Sequence, residues 1–199
     1  MMKIIIIGAS GTIGKKVTDA LNDRHEIITA GSKSGDLQLD ITSSESIEAF
    51  YKKAGSFDAL ISTTGSGHFG PVSTMTPADF KKGIDSKLLG QVNLVLIGQK
   101  YINPNGSFTL TSGILSSDPV LYGANLSAVN GALNSFAIAA AIGLENGVRI
   151  NAVSPGVVED SPSYFEAFPG HIPVTMDRVV AGYLRSVLGA GTGQVIEIF

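Results

Sequence analysis

The chain of 199 residues is long enough to bury the core of one domain, and its 14 basic and 17 acidic residues give a formal net charge of −3. It has no block of lysine and arginine, so nucleic acid is not expected as a partner, and no cysteine, which excludes disulfides, thiolate catalysis and cysteine-ligated metals. The first apolar run, residues 4–7, is too short for a signal peptide or a membrane span, so we expect a cytoplasmic protein without a membrane partner.

Strand-like and helix-like segments alternate along the whole chain. The predicted strands are 4–7, 26–30, 37–39, 59–62, 107–111, 148–153 and 194–199. The predicted helices are 14–23, 43–53, a long helix from Pro77 to a turn at 103–106, 125–145 and 177–188. Alternation of this kind predicts a doubly wound parallel sheet of the Rossmann type, a single α/β domain over residues 1–199.

A glycine loop follows the first predicted strand. Gly8, Gly11 and Gly14 are spaced by three, in the GxxGxxG pattern, and a helix is predicted to begin there. Gly8 allows a sharp turn, the bare Gly11 leaves room for a phosphate, and Gly14 lets the helix pack close to the strand. The spacing alone also fits a plain strand-to-helix turn. Its place after the first strand of an alternating chain favours binding of a dinucleotide.

Further motifs follow in a familiar order. They are Asp40-Ile41, Ser62-Thr63-Thr64-Gly65, Leu110-Thr111-Ser112, Tyr122 at the start of a helix, Asn151 with Pro155-Gly156, and 192–196. With the glycine loop, this ordered set resembles the short-chain dehydrogenase/reductase family over essentially the whole chain. The resemblance implies hydride transfer between a nicotinamide and a carbonyl or alcohol group of a small molecule.

The resemblance also implies a catalytic group, from which this chain departs. In the family a tyrosine is the general acid/base, a lysine four residues later lowers its pKa, a serine binds the substrate oxygen, and an asparagine supports a water. Tyr122 and Ser112 match two of these roles, but Leu126 stands four residues after Tyr122, and Lys87 stands where the family has asparagine. We hypothesise that Lys87 supplies the missing cation. The alternative is a solvated Lys87 in a catalytically silent module that binds NADP(H) as a sensor or scaffold.

The end of the second strand bears on the choice of cofactor. An acidic residue there binds the ribose of NAD, whereas a cation accommodates the extra phosphate of NADP. The segment Gly31-Ser32-Lys33-Ser34 has no carboxylate, which favours NADP(H) and leaves NAD as the alternative. The cofactor contacts implied by the motifs are Gly8, Ser10, Gly11, Thr12, Ile13, Gly14, Ser32, Lys33, Asp40, Ile41, Thr63, Thr64, Gly65, Pro155, Gly156 and Val157.

The remaining candidate residues have weaker sequence signals. His68 follows the fourth strand and is either a residue of the substrate mouth or a polar loop residue. No histidines have metal-ligand spacing, so no metal is expected. Glu159, Asp160 and Tyr164 lie in a segment that covers the substrate in the family. The helices at 81–97 and 125–145 are more apolar than one core requires, which together with the resemblance predicts a homodimer or homotetramer.

Overall fold

A seven-stranded parallel sheet forms the centre of the protein, in a computed structural model that describes residues Met1–Phe199. Its strands are β1 Lys3–Ile7, β2 Glu26–Gly31, β3 Leu37–Gln38, β4 Phe57–Ser62, β5 Ile102–Thr111, β6 Arg149–Pro155 and β7 Val195–Ile198. The strand order is β3-β2-β1-β4-β5-β6-β7, and every pair is parallel. The order reverses between β1 and β4, where such sheets bind ligands. The predicted doubly wound fold is confirmed.

Helices cover both faces of this sheet. They are α1 Thr12–Asn22, α2 Ser44–Ala54, α3 Pro77–Gly83, α4 Gly90–Gly98, α5 Ala124–Gly143 and α6 Met176–Leu188. The β-branched residues of β1 explain the two cores, because side chains alternate across a strand. Ile5 and Ile7 pack into a core that includes α2, α4 and α5, whereas Ile4 and Ile6 pack into a second core with α1 and α6.

The long helix predicted from Pro77 differs most from the structure. A capping box between Thr76 and Asp79 begins α3, but residues Ile84–Leu89 then form a π-helical segment before α4 begins. The predicted turn at 103–106 lies inside β5 instead. Phe57 pairs with Ile102 and Ala59 with Ser107, so the register shifts between them and β5 accommodates the extra residues as an irregular stretch.

Candidate active site

The glycine loop makes a tight turn between β1 and α1. Gly8 has φ +83°, and a Cβ atom there would lie 2.9 Å from the Thr63 carbonyl oxygen. A Cβ atom on Gly14 would collide with the Gly8 carbonyl oxygen. Gly11 is the N-cap of α1 and has no side chain to accept from the first-turn amides. The amides at the α1 N-terminus are therefore free of side-chain partners, as a bound phosphate requires.

Two cavities lie side by side over the carboxyl ends of the strands and share residues 63–66. We call the first, about 460 Å³, the adenosine lobe; it lies at the ends of β1, β2 and β4. We call the second, about 540 Å³, the reaction lobe; it lies at the ends of β4, β5 and β6. A two-lobed trough beside a helix N-terminus fits a dinucleotide at the point where the strand order reverses.

The adenosine lobe contains many of the predicted cofactor residues. Its lining includes Ser32, Asp40, Ile41, Thr63, Thr64 and Gly65. The Thr42 hydroxyl and backbone amide donate to Asp40 Oδ1 at 2.7 and 2.9 Å, and these hydrogen bonds hold the pKa of Asp40 below its usual value. The Asp40 carboxylate is therefore ionised and oriented beside the lobe.

No carboxylate is free at the end of β2. Asp36, the first acidic residue after this strand, accepts hydrogen bonds from the backbone amide of Thr29 at 2.9 Å and from its hydroxyl at 2.8 Å. These bonds lower the pKa of Asp36 and use the carboxylate to close the loop 31–35. Ser34 donates to Ser10 across the glycine loop at 3.0 Å, and Lys33 is exposed and does not line either lobe.

Lys87 lies in the π-helical segment and lines the reaction lobe with Ser112. A Cβ atom on Gly65, which has φ +112°, would lie 2.8 Å from Lys87 Cα, so this helix and the loop after β4 approach closely only because Gly65 has no side chain. Lys87 takes part in none of the ion pairs of the molecule. Burial without a counter-charge lowers the pKa of the Lys87 ammonium to about 8.

Gln91 holds this helix against the end of β5. Its side chain accepts from the Thr111 amide at 2.9 Å and donates to the Thr111 carbonyl at 2.9 Å and to the Lys87 carbonyl at 3.2 Å. Gln91 is fully buried, so these bonds have no competition from water. Because Ser112 follows Thr111 directly, Gln91 sets the position of Lys87 relative to Ser112.

Helix α5 presents Leu126 and Asn130 to the reaction lobe, and Tyr122 is not in its lining. Tyr122 lies in the turn before α5 with φ +69° and 44% of its surface exposed, and its ring packs edge-on against Phe69 at 6.3 Å. The structure therefore does not bring Tyr122 into the cavity that Ser112 and Lys87 line. The side chains spaced by four that face the lobe are Leu126 and Asn130, because Tyr122 precedes the first turn of α5.

Two buried polar groups in the reaction lobe have unused hydrogen-bonding capacity. Asn130 is 3% exposed, and its Oδ1 has no partner. The Ser112 hydroxyl makes one long contact, 3.4 Å, to the Val153 carbonyl, while its backbone amide donates to the same oxygen at 2.9 Å. Buried polar atoms normally have partners, so these groups indicate a site for a polar ligand.

The segment after β6 covers the mouth of the reaction lobe. Tyr164 lines it from a short helical turn at Pro162–Ala167, and Ser161 and Phe168 line it from the two ends of that turn. The two predicted carboxylates are occupied elsewhere. Glu159 accepts from the Met176 amide at 2.8 Å at the start of α6, and Asp160 lies 3.9 Å from the Lys16 ammonium of α1. They hold the cover segment to the domain.

The other predicted residues occupy several positions. Ile13, Pro155, Gly156 and Val157 line the reaction lobe, and Ser10 lies in a shallower pocket near Gly35. Gly8, Gly11, Thr12 and Gly14 shape the turn without lining either lobe. His68 Nδ1 lies 3.8 Å from Asp79 Oδ1, and His68 does not line the reaction lobe.

Sequence reasoning missed Asn130, Ser86 and Gln91. Counting four residues from Leu126 rather than from Tyr122 identifies Asn130, since residues four apart share a helix face. The signal for Gln91 is a polar residue in a helix that contains no charged residue. Ser86 lines the adenosine lobe and bonds Ser66 across it at 3.2 Å. Only the course of the π-helical segment reveals that contact.

The fold and the trough define a Rossmann-type dinucleotide-binding protein. A family model of these proteins, described as enoyl-(acyl carrier protein) reductase, matches residues 10–174. The chain belongs to the short-chain dehydrogenase/reductase family, whose members are oxidoreductases that use nicotinamide cofactors.

Solved structures agree with this assignment. The protein lin1944 from Listeria innocua has a TM-score of 0.98 and 45% identity, with complete coverage of both chains. A small-chain dehydrogenase in complex with NADPH has a TM-score of 0.87 and 27% identity over 98% of this chain and 95% of that one. Tetrahydroxynaphthalene reductase PfmaG from Pestalotiopsis fici is 26% identical over 173 residues, or 80% of this chain. This chain spans 61% of the length of that relative.

Proposed function

We propose that the protein is an NADP(H)-dependent oxidoreductase that interconverts a carbonyl and an alcohol group of a small molecule. The observation that carries the proposal is the pair Ser112 and Lys87, which line the reaction lobe of a trough suited to a dinucleotide. Two similar proteins support the proposal: the dehydrogenase in complex with NADPH supports the choice of NADP(H), and the reductase from Pestalotiopsis fici supports an oxidoreductase.

The residues of the trough suit a dinucleotide. The α1 N-terminus would hold the pyrophosphate, and Asp40 and Ile41 would contact the adenine. The exposed Lys33, with Ser32 and Ser34, would meet the extra phosphate of NADP, because Asp36 is already bonded to Thr29. When bound, the nicotinamide supplies or accepts a hydride at the reaction lobe.

The chain's own residues then bind the substrate. Ser112 donates to the substrate oxygen, and Lys87 places a positive charge where negative charge develops on that oxygen. Phe69, Leu115, Leu126 and Phe168 give the lobe apolar walls, and the cover segment would limit the access of water to it. These walls favour an uncharged carbonyl compound with an apolar body.

Leu126 supports a second candidate function. The side of α5 that faces the lobe has no phenol. The alternative is therefore a module that binds NADP(H) without turnover, as a sensor or scaffold.

Two measurements distinguish the enzyme from the sensor. Fluorescence measures the binding of NADPH and NADH, and an activity assay measures NADPH oxidation across a panel of ketones and aldehydes. Turnover supports the enzyme, and tight binding with no turnover supports the sensor.

We also propose a homo-oligomer in the cytoplasm. Helices α4 and α5 contain no charged residue, yet Leu96 and Ile138 are half exposed and Ile142 is 89% exposed. By length and composition alone α5 could cross a membrane, although one side of it packs on the sheet. Light scattering of the purified protein tests the oligomeric state, and fractionation of cells tests the location. A double substitution of Ile138 and Ile142 by glutamate is expected to give monomers.

A further inference from the structure

We infer that Lys87 itself transfers the proton in this active site, directly to and from the substrate oxygen, in place of a tyrosine. This inference rests on the proposed oxidoreductase function. It goes further than assigning Lys87 as a nearby cation, because it makes the ammonium Nζ the reacting acid.

The residues that line the reaction lobe include few candidates for the proton donor. Among its lining residues only Lys87 and Tyr164 carry a titratable side chain. Tyr164 is 62% exposed on the cover segment, whereas Lys87 is partly buried in a helix held by Gln91. Tyr122 does not line the lobe, and its ring packs edge-on against Phe69, which does. The acid that is both in the lobe and firmly positioned is therefore Lys87.

Unused hydrogen-bonding capacity converges on the same place. Lys87 has no ion-pair partner, Asn130 Oδ1 has no partner, and the Ser112 hydroxyl has one long contact. An ammonium and a hydroxyl both donate, so together they suit one oxygen acceptor such as a carbonyl. Asn130 Oδ1 accepts, so it suits a hydroxyl group of the ligand. A ligand with these groups satisfies atoms that the protein leaves unpaired.

The surroundings of Lys87 suit an acid that works near neutral pH. Burial lowers its pKa to about 8, within the range in which proton transfer is efficient. Asp85, two residues earlier, is held by the Lys81 ammonium. Asp40, in the neighbouring lobe, accepts from Thr42. Since neither carboxylate pairs with Lys87, its proton remains available to a substrate.

The step balances with a reduced nicotinamide as the co-reactant. In reduction, the carbonyl carbon gains a hydride, the C=O π pair moves onto oxygen, and that oxygen takes a proton from Lys87 Nζ. The products are the alcohol, the oxidised nicotinamide and a neutral Lys87 amine, which regains a proton from water. In the reverse direction the neutral amine removes the proton from the alcohol.

The first test measures Lys87 directly, without turnover. The full-length protein is acetylated in competition with a reference amine from pH 6 to 11, and the modification of each lysine is measured by mass spectrometry. We expect Lys87 to react with a midpoint near 8 in the folded protein and at a clearly higher pH after denaturation in urea, where its ammonium is solvated. A Lys87 midpoint that is the same in the folded and the denatured protein would overturn the inference.

The second test uses a carbonyl substrate found in the panel. Lys87→Met is expected to lower kcat by about 10²–10⁴-fold while NADPH binding by fluorescence persists. In the wild type, kcat/KM for reduction falls as pH rises through about 8, and kcat/KM for alcohol oxidation rises through the same value. Lys100→Met, a matched substitution at an exposed lysine, leaves both profiles in place.

Three results contradict the inference. Full activity in Lys87→Met with loss of activity in Tyr122→Phe assigns the proton to Tyr122 and leaves the oxidoreductase function intact. Loss of activity in Tyr164→Phe, together with an active Lys87→Met variant, assigns the proton transfer to Tyr164 of the cover segment. Wild-type protein that binds NADPH and reduces or oxidises nothing refutes the proposed function, and the inference with it.

Discussion

The two lobes of the trough differ in how they are built. Around the adenosine lobe, much of the expected binding uses the backbone: a glycine turn, a helix N-terminus and the loop after β4. The reaction lobe depends on side chains, among them Lys87, Leu126 and Asn130. Backbone sites depend on conformation and small residues. A side-chain site depends on chemical identity, so its chemistry changes without disturbing the fold.

Removing Gln91 is expected to have the largest effect, because this residue joins Lys87 to the end of β5. Gln91→Leu leaves the buried Thr111 amide and carbonyl without their side-chain partners. We expect a loss of about 2–5 kcal/mol in the free energy of unfolding, measured by urea denaturation, and a lower kcat. Gln99→Leu, which removes one exposed hydrogen bond, is the control. Equal stability of the two variants would show that Gln91 does not hold the reaction lobe.

Lys87 is expected to trade stability for function. Its pKa is lower in the folded protein, about 8, than in the unfolded chain, about 10.5. The unfolded chain therefore binds more protons between these values, and the contribution of Lys87 to stability rises as pH increases through that window. At pH 7 the buried charge is destabilising, so Lys87→Met is expected to stabilise the fold by about 2 kcal/mol.

Urea denaturation of both proteins at pH 7 and pH 9.5 measures this effect. The advantage of Lys87→Met should be largest at pH 7 and shrink at pH 9.5, because the wild-type ammonium loses its proton above about 8. Tyr183 does not interfere, because burial raises the pKa of its phenol in both proteins and its contribution therefore cancels in the difference between them. An advantage that does not depend on pH would mean that Lys87 carries an ordinary solvated charge.

The smallest effect is expected at the adenosine lobe. Lys33→Ala should weaken NADPH binding by about tenfold, roughly 1.4 kcal/mol, and leave NADH binding unchanged, because only NADPH carries the extra phosphate. Fluorescence titration measures both. Lys53→Ala, at the exposed end of α2, is the control. An equal loss for both cofactors, or tighter binding of NADH by the wild type, would refute the assignment of Lys33.

The sequence predicted the sheet and the glycine loop well. Buried β-branched runs such as residues 4–7 carry their own signal, and the glycines of the loop are local requirements of a turn. It also selected Ser112 and Lys87, which the structure brings into one cavity. Tyr122, which the sequence also selected, does not line this cavity. A shift of one helical turn decides which residue faces the lobe. Apolar residues of α5 lie on every side of the helix, so the sequence has no single apolar face from which to predict how the helix is rotated.

What the sequence determined by itself is the order of elements and the positions at which only small residues are tolerated, since both follow from local periodicity and sterics. Tertiary structure alone decided the π-helical course at Ile84–Leu89, the bonds from Gln91 to Thr111, and the rotation of α5 that points Leu126 and Asn130 inward. These depend on contacts between residues about 20 or more positions apart. Such contacts form only when the helices pack on the sheet, and they lower the pKa of Lys87 by removing water from its ammonium.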